Sequence, residues 1–265
     1  MAADAAALPE VAVISAALAQ FVLLLAAGAL AGAAGSAGGT ASLISYPALL
    51  VVGVPPFQAN VTNAVAFVAS WPGSALGSRT ELRGRGRWLL RWGLLAAAGA
   101  SVGAALLLLT PSAIFGRVVP YLVAFAALAL LFQPRIRAWQ ARHPRMNSPF
   151  ILPAGLLAAS VYNGYWGAGA GVMLLAVMLM AVDQHLPRAN ALKNMLLGFS
   201  DIVAASAFVL FGPVDWAAAA PLALGLFAGS TVGPAVTRRV PADALRVVVG
   251  LAGLGLAVKL WLSPG

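Results

Sequence analysis

Apolar residues run along this chain in long unbroken stretches, parted by short turns where Gly, Pro and Arg collect. The runs are continuous rather than alternating, which predicts membrane helices rather than barrel strands. Ten segments emerge, at about 9–33, 39–53, 57–77, 88–109, 112–132, 150–166, 169–183, 187–210, 215–236 and 241–262. A full crossing takes about 20 residues. Segments 39–53 and 169–183 have 15 each, about 22 Å of helix against a hydrocarbon core of about 30 Å. Both open on a glycine cluster.

The short segments belong to a larger duplication. Gly35-Ser36-Ala37-Gly38-Gly39 is answered by Gly167-Ala168-Gly169-Ala170-Gly171, and Ala59-Asn60-Val61-Thr62-Asn63 by Ala189-Asn190-Ala191-Leu192-Lys193. Ser101-Val102-Gly103 is answered by Thr231-Val232-Gly233, and Pro111 by Pro241. From Ala59 onward the offset is a constant 130 residues (59 to 189, 103 to 233). Two such hydrophobic halves are the layout of a secondary transporter, and matched glycine-interrupted segments point to its site. The predicted organisation is a first repeat over 1–132, a basic linker over 133–149 and a second repeat over 150–265.

Composition places the chain in the bilayer. It is 62% hydrophobic and 9% charged over 265 residues, where a soluble domain carries about 25% charged residues. The net charge of +9 does not point to nucleic acid, because the arginines sit in short loops between apolar spans. Loop 78–91 holds Arg79, Arg83, Arg85, Arg87 and Arg91 against Glu81, loop 133–148 holds Arg135, Arg137, Arg142 and Arg145, and the turn near 237–246 holds Arg238, Arg239 and Arg246 against Asp243. These loops face the cytoplasm by the positive-inside rule. The base-poor turns near 54–57 and 211–215 then lie outside, as would both termini. The halves come out inverted, since an odd number of crossings per half flips the second. The first ten residues hold Asp4 and Glu10 and no base, so the first run reads as a retained span rather than a signal peptide.

The fold expected is an all-α integral membrane bundle of about 8–10 transmembrane segments, built as two inverted repeats with short glycine-broken segments. Gly35, Ser36, Gly38 and Gly39, with Gly167, Gly169 and Gly171, would break helices and leave free N–H groups at the starts of the short segments, which suit an anion. Close helix packing is the plainer role for such small residues. Asn60 and Asn63 share a helical face, as do Asn190, Lys193 and Asn194, and can donate to an oxyanion. Helix capping by the amides and snorkelling of Lys193 to the headgroups are the alternatives. Asp201 falls deep in segment 187–210, where a carboxylate serves as a proton relay or as a structural hydrogen-bond partner. Its counterpart by the offset is Trp71. Tyr162, Asn163, Tyr165 and Trp166, just before the second glycine cluster, could line a site or form an interfacial belt.

The order of these elements carries a resemblance. The glycine-rich turn is followed by Pro47, Leu49-Leu50, Gly53-Val54-Pro55, Asn60 and Asn63, a tryptophan and the Ser-Val-Gly element, and much of this recurs in the second half. The pattern resembles the sulfite exporter TauE/SafE family of bacterial inner-membrane transporters over about residues 20–260. The resemblance implies secondary transport of a small anion, sulfite or an organosulfonate, by alternating access. It carries the family's glycine turns onto Gly35 to Gly39 and Gly167 to Gly171, and its polar positions onto Asn60, Asn63, Asn190 and Lys193. An anion channel and a cargo-free membrane scaffold or assembly protein are the alternatives.

The sequence offers an enzyme little: no cysteine, no histidine inside a span, no paired carboxylates and no HExxH or GxSxG motif. Neither cofactor nor metal is expected. The expected partners are the anion and the lipid bilayer, with a homodimer left open.

Overall fold

The structure is a computed structural model that describes residues 2–38, 41–142, 149–236 and 242–262. The described residues form helices and turns only. The helices are α1 (Ala2–Gly38), α2 (Ser42–Val51), α3 (Pro56–Phe67), α4 (Ser70–Gly77), α5 (Arg79–Leu82), α6 (Gly86–Leu109), α7 (Ser112–Arg142), α8 (Ile151–Tyr165), α9 (Ala170–Ala181), α10 (Leu186–Phe211), α11 (Trp216–Val236) and α12 (Ala242–Leu262). Among the described residues, 14–35, 86–109, 112–136 and 186–211 are long and apolar enough to cross a bilayer. Large apolar side chains such as Leu18, Leu109, Leu210 and Leu251 project outward, as lipid-facing residues do. The chain is an all-α polytopic membrane protein.

Local sequence explains the helix ends. Pro56 opens α3 and Pro187 sits in the first turn of α10, where the missing N–H is no loss. Gly169 has φ +87° and caps the start of α9, and Gly167 has φ +82°. Both are in the left-handed region that suits glycine, so this cluster is the turn that starts the short helix.

One predicted segment divides. Residues 57–77 form α3 and α4 with a break at Val68 and Ala69. Two local causes meet there. Pro72 lacks the N–H that would reach the Val68 carbonyl, and Ser70 Oγ donates to the Phe67 carbonyl at 2.7 Å, drawing it from the ladder. The offset pairs Pro72 with Ile202, and α10 runs through unbroken. A second difference lies at the basic stretch after residue 132. Helix α7 continues to Arg142 through Pro134, so the segment begins as helix rather than loop, while residues 143–148 lie outside the described residues.

Glycine sets the closest helix pairs. On α1, Gly28 meets Leu222, Gly225 and Leu226, and Gly32 meets Leu226, Gly229 and Ser230 of α11. On α6, Gly99 meets Leu157 and Ser160, and Gly103 meets Val161, Gly164 and Tyr165 of α8. In both pairs the contacts advance together along the two helices, so each pair is parallel. A Cβ at Gly32 would lie 2.8 Å from the Ser230 nitrogen. Backbone approach of this kind is how small residues hold membrane helices together. Helix α7 packs along α12, and α10 along α6. Two apolar clusters result, one around Tyr46, Leu49, Phe115 and Leu222, the other around Leu156, Leu174, Met178 and Leu196.

Candidate functional site

The broken and short helices meet around a cavity of about 90 Å³, well above the roughly 10–15 Å³ that admits a single water and so room for a small ion. The starts of both short helices border it: Ala41 and Ser42 at α2, Gly167 and Gly171 at α9. The leading N–H groups of a helix have no intrahelical acceptor and carry the positive end of its dipole. Gly35 also lines the cavity and is held close to this turn; a Cβ there would sit 2.5 Å from Ala41 Cβ.

Helices α3 and α10 supply the polar wall. Asn60, Asn63, Lys193 and Asn194 all line the cavity. Lys193 is 0% exposed, so its ammonium is held inside the bundle beside the cavity rather than reaching outward. Asn60 is 3% exposed, and its Nδ2 donates to the Tyr165 carbonyl at 3.0 Å. That bond satisfies an orphan carbonyl at the end of α8 and ties the two halves together. Asn63 is 4% exposed, and its Oδ1 receives no hydrogen bond from any described residue. Asp201 lies farther along the same wall and accepts from Asn163 Nδ2 at 2.7 Å.

Other predicted residues stand elsewhere. Gly169 serves the turn and packs toward α7, where a Cβ would lie 3.2 Å from Ala126. Asn190 is half-buried on the first turns of α10, off the cavity. Ser36 and Gly38 close α1, and Gly39 lies outside the described residues. Of the aromatic group, Asn163, Tyr165 and Trp166 line the cavity. Tyr162 stands behind it and donates to the Ala168 carbonyl at 2.8 Å, bracing the glycine turn.

Sequence reasoning did not single out Trp71 as a site residue, although its register with Asp201 was visible; both line the cavity. Ser70, Ser74 and Ser230 join them. The signal for Ser230 lay in its place beside Gly229, on the stripe that meets α1. Among the described residues no group of three or more His, Cys, Asp or Glu side chains is placed to hold a metal ion. At one end of the bundle Asp183 lies 3.9 Å from both Arg85 and Arg188, which brings the segment before α6 and the α9–α10 turn to the same side.

A polar cavity inside a bundle of apolar helices, bordered by the starts of two short ones of which α9 is opened by glycine, defines a multi-pass membrane protein with an internal polar site. Residues 21–260 match the family described as Sulfite exporter TauE/SafE, and the chain belongs to that family. It is similar to a protein of Sinorhizobium sp. named "Probable membrane transporter protein ORF9", 26% identical over 91% of this chain and 92% of that one. It is similar also to a "Probable membrane transporter protein" of Haemophilus influenzae, 25% identical over 86% of this chain and 89% of the relative. A third relative is the "Probable membrane transporter protein YfcA" of Escherichia coli strain K12, 25% identical over 87% of this chain and 86% of that one. No solved structure matches the chain.

Proposed function

We propose that the protein is a secondary carrier of a small sulfur oxyanion, sulfite or a small organosulfonate, working by alternating access in the bacterial inner membrane. The observation that carries the reading is the buried Lys193 beside a cavity bordered by the starts of α2 and α9. A fixed cation and two positive helix ends suit an anion, and the cavity volume suits a small one. Asn63 and Asn194 add hydrogen-bonding groups. Asp201 couples the cycle to protons, with Asn163 holding it in place. It needs no cofactor.

The halves are inverted repeats in this reading. The parallel packing of α1 on α11 and of α6 on α8 supports it. α6 and α11 are counterparts, as are α1 and α8. With alternating crossings, α1 runs parallel to the counterpart of α6 only when the second half is turned over. Rocking of the halves about the cavity then opens it to either side. The basic loops face the cytoplasm, in keeping with Arg85 and Arg188 meeting at Asp183 on one side.

The test is flux in proteoliposomes with labelled sulfite, sulfate, thiosulfate and sulfoacetate, with and without a proton gradient. Saturable uptake of one of them, with counter-flow and acceleration by the gradient, is the expected result. Unsaturable flux would make the protein a channel. The absence of flux from folded protein for all four anions would overturn the sulfur-anion assignment.

A further inference from the structure

Two buried donors at the cavity have no role in the account above. Trp71 and Trp166 both line it, and Nε1 of each is shut off from solvent with no acceptor among the described residues. An indole N–H donates and cannot accept. Burying such a donor unpaired is costly and uncommon in native proteins, so the two point to a ligand rich in acceptors.

Packing holds both rings in place. Trp166 is 4% exposed; it meets Tyr46 edge-on at 4.8 Å between centroids and Phe115 at a tilt at 5.8 Å. Trp71 meets Phe199 edge-on at 6.1 Å and lies against Gly198, where a Cβ would collide with the indole at Cδ1 and Nε1. The absence of a side chain at Gly198 is what lets the Trp71 N–H edge sit against α10. The two rings come from opposite halves, Trp71 at the start of α4 and Trp166 just past the end of α8.

We propose that Trp71 and Trp166 are neutral ligands of the anion, each donating its indole N–H to an oxygen of a bound oxyanion. The inference rests on the anion-carrier reading and specifies its ligand chemistry: a small centre carrying at least two acceptor oxygens. Neutral donors orient and desolvate such an ion without adding positive charge beside Lys193, so the ion is recognised yet free to leave. Because the donors belong to opposite halves, a bound oxyanion bridges them.

The test uses the full-length protein labelled with 15N at tryptophan and titrated with sulfite in detergent. Seven indole N–H resonances are expected from seven tryptophans. W71F and W166F assign the cavity pair, and Trp→Phe at Trp88, Trp92, Trp139, Trp216 and Trp261 assigns it by subtraction if the cavity variants do not fold. The expected result is a saturable downfield shift of the Trp71 and Trp166 resonances with one shared midpoint. Calorimetry should show sulfite binding about tenfold weaker in each folded cavity variant. Sulfite binding by calorimetry with those two resonances unmoved would overturn the inference and leave the carrier reading standing. If sulfite, sulfate, thiosulfate and sulfoacetate all fail to bind wild-type protein, the sulfur-anion reading falls and the inference with it.

Discussion

Lys193→Met separates an anion-binding lysine from a structural one. Methionine keeps the length of the side chain and removes the charge. At an effective dielectric of about 20, unit charges about 4 Å apart interact by about 4 kcal/mol. That figure is an upper bound here, because Asp201 borders the same cavity and offsets part of the field. Hydrogen bonds to charged groups contribute about 1.5–3 kcal/mol when measured by mutation, so sulfite binding should weaken by about 10- to 150-fold at about 1.4 kcal/mol per decade. Stability is read alongside, because Lys193 is 0% exposed and removing one member of a set of interacting buried groups costs about 3–5 kcal/mol. Calorimetry with sulfite and a thermal melt on the same detergent-purified protein read both quantities. An unchanged sulfite Kd in K193M, with wild type binding normally, would refute the role. A lower melting temperature with unchanged affinity would assign Lys193 to the scaffold.

Asp201→Asn keeps an oxygen to accept from Asn163 Nδ2 but cannot release a proton. Saturable sulfite exchange should survive while its acceleration by a proton gradient disappears; an intact gradient response would remove Asp201 from coupling. Gly169→Ala should destabilise the protein by about 1–2 kcal/mol from backbone strain alone, and by more than Gly53→Ala. The reason is that Gly53 shares the left-handed φ but faces open space, whereas a Cβ at Gly169 would press on Ala126; comparison of melting temperatures checks the order. Gly229→Val should prise α11 from α1, because a side chain there collides with the backbone of Ala29, while Gly255→Val, with nothing nearby, should be tolerated. Expression yield and monodispersity in detergent distinguish the two.

Hydrophobic runs and punctuation placed most of the helices, because in a bilayer each crossing must be continuously apolar and must satisfy its own backbone. The glycine cluster at 167–171 could be read as a helix start because glycine is the residue that tolerates a left-handed turn. The break inside 57–77 was harder to see. It depends on Pro72 and Ser70 acting on neighbouring carbonyls, and the apolar run continues over both. The α1–α11 and α6–α8 contacts were written as Gly28/Gly32, Gly225/Gly229, Gly99/Gly103 and Ser160/Gly164, small residues four apart. Their spacing identifies a packing stripe, but only three dimensions tell which stripe meets which. The same limit applies to the cavity. Asn60 looked like a ligand by position, yet part of its amide is engaged by the Tyr165 carbonyl, a partner 105 residues away that no local pattern announces.

What the duplication leaves unequal is as informative as what it repeats. Each half contributes a short helix starting at the cavity, an Asn-bearing helix beside it and a glycine stripe for docking on the other half. Charge is not repeated: Lys193 stands opposite Asn63, and Asp201 opposite Trp71. Nor is helix continuity, since α10 is unbroken where α3 and α4 divide. In the proposed carrier this division of labour has a physical basis. Two similar scaffolds of opposite orientation give two similar openings, one to each side. A second buried lysine would bind the anion too tightly to release it, and a second carboxylate would repel it. The continuous α10 therefore carries both charges on one rigid element, while the jointed α3–α4 element supplies neutral groups that can shift against it. Exchanging Trp71 and Asp201 tests the point: W71D/D201W preserves composition and register but moves the carboxylate to the jointed side. Gradient-driven sulfite flux should then be lost even if the double variant folds and still binds sulfite. Full coupling in that variant would show that the position of the acid on the continuous helix is immaterial.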